Sequence, residues 1–290
     1  MIEHTNHLDI TQLNDLEHLV AECKKADGST PNVYSHVLSQ PRIFPACGLY
    51  YVDIQLIGFI SVYFFYENAV EISLIVHPSS RKQLIGKQLI ASIIPLIQSK
   101  NFHTLIFSNP SCLNSKWLPT YGFTYLHTEY LMERTDLHPL LDYNRQLTFR
   151  TATEADMDAL CALDEACFAK NQSDLTERFH HLLNSREHQV ILASQNNIPV
   201  GKAHLRWQDN GASLSDIAIL PQYQGKGSGT SLIAHCVNLA LAQGKPHLNL
   251  DVETHNQRAL NLYTRLGFLT QNACDYWSIE LDQLISHHHF

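Results

Sequence analysis

Ile217-Ala218-Ile219-Leu220-Pro221-Gln222-Tyr223-Gln224-Gly225-Lys226-Gly227-Ser228-Gly229 is the stretch whose reading decides the fold. A short apolar run closes at Pro221, glycines follow at alternate positions, and a helical pattern starts at once. Leu232, Ile233, Cys236, Val237 and Ala240 fall at helical spacing, and Gly244 stands where a C-terminal cap is expected. Leu214 to Gly244 therefore reads as strand, glycine loop, helix. Glycines let the backbone turn tightly and bring its N–H groups close to a ligand. A helix start adds about half a positive charge and several unpartnered donors. That combination binds a phosphate or pyrophosphate. The spacing is G-x-G-x-G, not the G-x-G-x-x-G of dinucleotide folds, and glycine rather than Ser or Thr follows Lys226, as a Walker loop would not allow.

The string from Pro221 to Gly229 resembles the acyl-CoA loop of the GCN5-related N-acetyltransferases (GNAT), whose core is Gln/Arg-x-x-Gly-x-Gly/Ala. Gln224, Gly227 and Gly229 occupy its defining positions. Downstream, Asn256, Ala259, Tyr263, Gly267 and Phe268 match the family's second element, N-x-x-A-x-x-x-Y-x-x-x-G-F. The resemblance implies acetyl-CoA as co-substrate, and a mixed-sheet α/β (α+β) domain whose sheet splays open between the strands at Leu214–Leu220 and Leu248–Val252. It also implies cofactor contacts from Ile217, Ala218, Ile219, Gln224, Gly225, Lys226, Gly227, Ser228, Gly229, Thr230, Asn256 and Tyr263.

The plan occurs twice. Val76-His77-Pro78 through Arg81, Leu84 and Gly86 to Leu89 repeats Ile219-Leu220-Pro221 through Gln224, Gly227 and Gly229 to Leu232. Gly58 and Gly201 share that offset, and Tyr121-Gly122-Phe123 echoes Leu266-Gly267-Phe268. Two similar domains in tandem are expected, over 1–135 and 147–290, joined by a connector at 136–146. In the first, the pattern predicts a helix over Asp9–Lys25, paired strands over Leu49–Ile54 and Leu56–Tyr66, a strand over Glu71–Val76, and a loop helix over Lys87–Gln98 that Pro95 should kink or restart. In the second it predicts helices over Ala152–Phe168, Leu175–Leu183 and Asn256–Leu266, with a last strand at Tyr276–Leu281. The first copy departs from the motif. Leu84 stands for the first glycine, Leu118 for the tyrosine and Ser111 for the asparagine, while Arg81 and Gly86 remain. It is expected to have dropped catalysis and to shape substrate or partner binding.

Composition bounds the function. The net charge is −8, shared equally by the two halves, with no basic stripe, which argues against nucleic acid and favours a cationic acceptor such as an amine. No apolar run reaches the roughly 18 residues of a membrane span, and no basic segment with an apolar core marks a Sec signal. Seven irregularly spaced cysteines without C-x-x-C read as reduced thiols in a cytoplasmic setting. No recognised zinc spacing accompanies His180-His181 or the terminal histidines, so no metal is expected. The tandem plan with an eroded first copy also resembles bacterial effectors of this family, which implies a host protein as acceptor and delivery by a non-Sec route.

Acyl transfer to an amine needs the amine deprotonated, the tetrahedral oxyanion met by preorganised N–H donors, and a proton for the leaving thiolate. Tyr263 is the candidate acid, since a phenol with a pKa of about 10 stays protonated; spacing alone favours a core aromatic, and the family resemblance reverses that. Asn256 could simply cap its helix. Asp251, beside Asn249 and Glu253 on one strand face, and Asp216 on the loop's own strand are the candidate bases. Some relatives use a water chain instead. Backbone N–H groups near Ala218 or Ile219 would meet the oxyanion. The expected activity is acetyl transfer through a ternary complex in the second domain. The competing readings are a catalytically weak GNAT-shaped binding module and, on the spacing of Asp251 after the glycines, a dinucleotide-binding oxidoreductase.

Overall fold

The computed structural model describes residues 2–111, 113, 116, 118–141, 144, 146–168, 174–253 and 257–288. The chain forms two compact units. Unit 1 comprises Met1–Tyr130, Glu253–His255 and Gln271–Phe290; unit 2 comprises Leu131–Val252 and Asn256–Thr270. Each is a mixed α/β sheet with helices on its faces, the fold class the sequence predicts.

Unit 1 begins with β1 (Ile2–Thr5), α1 (Ile10–Asp27) and the short α2 (Ser35–Leu38). Asp9 caps α1 in a reciprocal box with Gln12, and Gly28 ends it in a left-handed conformation. The meander β2 (Cys47–Val52), β3 (Gln55–Tyr63) and β4 (Ala69–Val76) is antiparallel. Strand β5 (Thr104–Pro110) then pairs parallel with β4, from Ala69↔Thr104 to Ser73↔Ser108, and the recorded pairing ends there. Between β4 and β5 runs α3 (Ile85–Ser99), which passes through Pro95 as one helix. Pro95 is exposed, so water can reach the carbonyl that its missing N–H leaves without a partner. The helix does not restart at Pro95 but continues to Ser99.

The compact units divide the chain differently from 135 and 147: unit 2 begins at Leu131, and Glu253–His255 and Gln271–Phe290 return to unit 1. Strand β12 (Leu269–Glu280) pairs antiparallel with β5 over Cys274↔Pro110 to Glu280↔Thr104, inside unit 1. Helix α8 (Leu281–His288), which the sequence reading missed, follows it. Leu281 and Leu284 enter the core that α3 forms with β3, β4 and β5. On the other sheet face, Leu16, Leu19 and Cys23 of α1 pack with Leu38, Leu49, Phe59 and Ile75. Strand β6 (Thr124–Arg134) spans the boundary between the units as the chain passes from one to the other.

Unit 2 runs β7 (Leu147–Thr151), α4 (Met157–Cys167), α5 (Leu175–Asn184), β8 (His188–Gln195), β9 (Ile198–Gln208), β10 (Gly211–Ile219), α6 (Ser228–Ala242), β11 (His247–Glu253) and α7 (Gln257–Arg265). The sheet order over these strands is β11-β10-β9-β8-β7. Asp156 accepts from the Thr153 N–H at 2.9 Å where the sequence places a cap. Leu232, Ile233, Cys236, Val237 and Ala240 of α6 are all fully buried, so the helical spacing identified the core-facing stripe. Each of the larger aliphatics contributes about 1.5–3 kcal/mol by leaving water.

Ending the chain at Thr270 removes the β12 partner of β5 and two core leucines. The expected outcome is loss of amide-exchange protection in β5, by about a hundredfold or more, with β8 and β9 still protected. Unchanged protection of β5 would show that β12 and α8 are dispensable to unit 1.

Candidate active site

In unit 2 the parallel pairing of β10 with β11 is recorded only over Gly211↔His247 to Ser213↔Asn249. No pairing to β11 is recorded for Leu214–Ile219, as the expected splay requires. Opposite β9, β10 carries a register shift between Ser215 and Ala218, and Asp216 within it has φ 48°. The ladder resumes at Ala218↔Lys202 and Ile219↔Gly201. Gly201 allows this close approach, because a Cβ there would lie 2.4 Å from Ile219 Cδ1 and 2.6 Å from the Ala218 carbonyl oxygen. Ala218 and Ile219 are buried, and Ile217 is half-buried.

The chain then makes a 3-10 turn over Pro221–Tyr223 and enters α6 through Gly225 (φ 73°) and Gly227 (φ 82°). Gly227 is the N-cap, and no side chain among the described residues caps the helix. Open space surrounds the point where a Cβ would project at either glycine. Two side chains brace the loop from behind: Gln224 Nε2 donates to the Ile219 carbonyl at 2.8 Å, and Lys226 Nζ to the Gln222 carbonyl at 2.9 Å. The backbone N–H groups at Ser228, Gly229 and Thr230 thus begin a helix with no internal acceptor. Gly229 faces α7: a Cβ there would sit 3.7 Å from Leu262 Cδ2. The next residue of α7, Tyr263, is 7 % exposed and packs edge-on against Phe268 at 5.9 Å. Burial pushes its phenol up to about 12, so it stays a proton donor at neutral pH. Asn256 lies outside the described residues.

The two candidate bases occupy different environments. Asp251 is exposed on β11 between buried Leu250 and Val252, on the face shared with Asn249 and Glu253, as strand alternation predicts. Asp216 is locked in a charge network that sequence reading missed. Its Oδ1 accepts from Arg178 Nη2 at 2.6 Å, and its Oδ2 lies 3.3 Å from His204 Nδ1. Lys202, fully buried, places Nζ 2.7 Å from Asp164 Oδ1 and 3.0 Å from His204 Nε2. An ammonium donating to Nε2 fixes the imidazole proton on Nδ1, facing Asp216. Burial alone would raise the Asp216 carboxyl. The bond from His204 and the Arg178 guanidinium outweigh it and hold the group far below the usual carboxylate range. A carboxylate stabilised this strongly is a poor proton acceptor. Desolvation lowers both Lys202 and His204. No short motif links residues at 164, 178, 202, 204 and 216; only a lysine alternating with a histidine on a buried strand hinted at the network.

The first copy keeps the loop's backbone without its two left-handed glycines. Lys82 (φ 64°) and Leu84 (φ 63°) take the left-handed conformations of Gly225 and Gly227. Arg81 is held by Asp27 through two bonds of 2.8 and 2.5 Å. Leu118, standing for the tyrosine, is buried. Ser111 N–H donates to the Ala273 carbonyl of β12 at 2.8 Å.

Elsewhere in unit 1 an acidic, aromatic cluster gathers. Tyr34 donates to buried Glu71 at 2.8 Å, and Tyr276 to Glu129 at 2.8 Å. The His127 ring stacks on Tyr276 at 4.7 Å. Ligand atoms of His127, Glu129 and Glu253 lie within 4.8 Å of one another and could hold a cation; their wide sequence separation hid this grouping. Burial pushes the Glu71 carboxyl up to about 7.

A sequence pattern described as the acetyltransferase (GNAT) family matches residues 13–114 and 157–268. Thialysine N-epsilon-acetyltransferase of Mus musculus is 35% identical over 71 residues, 24% of this chain and 42% of that protein. The chain thus aligns with less than half the length of this curated relative. Among solved structures, a GCN5-related N-acetyltransferase from Sphaerobacter thermophilus superposes with a TM-score of 0.79 at 16% identity, over 97% of this chain and 95% of the other. A tandem GNAT protein from the clavulanic acid biosynthesis pathway gives 0.67 at 15% identity, over 97% and 98%. At these identities the structural likeness concerns the fold, here in tandem form.

Because the Glu71 carboxyl sits near 7 in the fold against an ordinary 4.5, its contribution is fully present below pH 4.5 and is lost as pH rises through 7. The shift corresponds to about 3 kcal/mol at most. Glu71→Gln, which keeps an acceptor for Tyr34, should flatten the fall in stability between pH 5 and 8 in urea melts. An unchanged slope would contradict the assignment.

Proposed function

The chain belongs to the acetyltransferase (GNAT) family, and from that premise we propose that unit 2 transfers acetyl from acetyl-CoA to a primary amine while unit 1 does not turn over. The observation that carries this reading is the uncapped start of α6, entered through left-handed Gly225 and Gly227 beside a strand that parts from its neighbour. The diphosphate of the co-substrate lies on the N–H groups of Ser228–Thr230 and is favoured by the helix dipole. The pantetheine arm runs between β10 and β11. At the register shift, backbone groups of Ile217–Ile219 meet the thioester, and a preorganised N–H near Ala218 or Ile219 stabilises the oxyanion.

The acceptor nitrogen, once neutral, attacks the thioester carbonyl and forms the tetrahedral intermediate. Collapse expels the thiolate, which takes the proton of Tyr263, and the surplus proton on the acylated nitrogen passes through water to restore the phenol. A carboxylate need not hold the ammonium proton for long; exposed Asp251 can pass it to bulk water, whereas Asp216 is tied to Arg178 and His204. Asp216 acts instead as a positioning residue for the backbone kink it occupies. The net charge of −8 favours a cationic acceptor, and the mouse relative's name places its acetyl on the ε-nitrogen of thialysine. An aliphatic primary amine, on a small molecule or a protein, is the acceptor class that fits both. In unit 1, Leu118 has no proton to give.

Thiol release from acetyl-CoA with a set of primary amines tests the proposal. Tyr263→Phe should lower kcat by about a hundredfold or more, with little change in the KM for acetyl-CoA. Asp251→Asn should slow turnover most at low pH. A Tyr263→Phe enzyme with undiminished kcat would remove the phenol from the mechanism, and no thiol release with any amine would favour a binding module.

A further inference from the structure

Three metal-ligating side chains of unit 1 converge. His127 and Glu129 stand two apart on β6, so strand alternation puts both on one sheet face. Glu253, the last residue of β11, belongs to the same unit and joins them. One ligand atom of each lies within 4.8 Å of the other two.

The local geometry fits a shared ion better than a direct salt bridge. His127 Nε2 stands 3.6 Å from Glu129 Oε1, too far for a hydrogen bond. Two atoms bound at about 2.0–2.2 Å to one tetrahedral zinc ion stand roughly 3.3–3.5 Å apart. The other carboxylate oxygen is held from behind: Glu129 Oε2 accepts from the Tyr276 hydroxyl at 2.8 Å and from Asn32 Nδ2 at 3.3 Å. These two neutral donors leave Oε1 turned to the imidazole. The His127 ring is fixed as well, stacked on Tyr276 at 4.7 Å with 14° between the planes. Outer hydrogen bonds that orient a ligating carboxylate and contacts that set an imidazole plane are the supports metal ligands need. Glu253 is exposed, and rotation of its side chain can close the remaining distance.

The donor set selects the ion. Mg²⁺ and Ca²⁺ favour shells made of oxygen alone. One imidazole nitrogen with two carboxylate oxygens suits Zn²⁺, whose charge the two carboxylates offset. We propose that His127 Nε2, Glu129 Oε1 and a Glu253 carboxylate oxygen bind one Zn²⁺ ion in unit 1, with water in the fourth position. The site shares no residue with the acetyl-transfer machinery assigned to unit 2, so its test needs no turnover.

The test dialyses the intact chain against limiting Zn²⁺ and measures bound metal. The natural chain should hold one equivalent more than His127→Gln. Glu253→Gln, an exposed change that leaves the fold alone, should weaken binding at least tenfold in calorimetric titration. Zn²⁺ should raise the melting temperature of the natural chain by several degrees and that of neither variant. Co²⁺ in its place should give the intense visible bands of a four-coordinate ion, lost in both variants. Excess Mg²⁺ should not displace Zn²⁺. Weak binding at the terminal histidines is common to all three proteins and drops out of the comparison. Equal Zn²⁺ binding by the natural chain and either variant would mean an adventitious ion only and would overturn the proposal, as would displacement by Mg²⁺ or Co²⁺ bands unchanged in the variants.

Discussion

The start of an α-helix leaves N–H groups with no partner inside the helix, and what surrounds them decides what the unit can do. In unit 2 no side chain among the described residues caps α6, because the entering residue is Gly227 in a left-handed conformation. A residue with a Cβ would be strained there by roughly 1–2 kcal/mol and would project into the space a ligand needs. The loop side chains that could have reached forward, Gln224 and Lys226, bond carbonyls of their own segment instead. The result is a concentrated, preorganised set of donors at one end of a cleft.

The rest of unit 2 holds that cleft in place. The buried charges Lys202 and Asp164, together with Arg178, His204 and Asp216, lie behind the kink in β10. Two cationic and two anionic side chains offset one another, with a neutral imidazole between them. Such a network fixes geometry more than it stabilises, since desolvation of the ions consumes much of their attraction. At the far end of α7, Arg134 is buried and donates to the Leu266 carbonyl at 3.0 Å and to the His138 carbonyl at 2.7 Å. A cation at a helix C-terminus is favourable, and here it anchors the helix that carries Tyr263.

Much of this was legible in the residues. The glycine loop, the stripe from Leu232 to Ala240, the two-copy plan and the face of Asp251 follow from periodicity and motif spacing alone. Three features were not legible, each for a physical reason. Strand alternation says which face a side chain takes but not which strand lies alongside, so the pairing of β12 with β5, and with it the place of α8, could not be assigned to unit 1. Proline in a helix removes one backbone bond and crowds the carbonyl four residues back, and whether the helix restarts there depends on packing on either side, which at Pro95 is a tertiary fact. Buried ion networks are assembled from residues far apart in sequence, so Asp216 looked like a free carboxylate until Arg178 and His204 were placed beside it.

The two copies amount to a natural comparison. Both turn left-handed at the same two positions before a helix, but only one does so with glycine, and only that one is followed by the tyrosine. Calorimetric titration of the intact chain with acetyl-CoA, alongside Gly227→Val, measures the consequence directly. The account predicts one equivalent bound per chain, with affinity lost at least tenfold in the variant. No binding, two equivalents, or an affinity untouched by valine at 227 would contradict it.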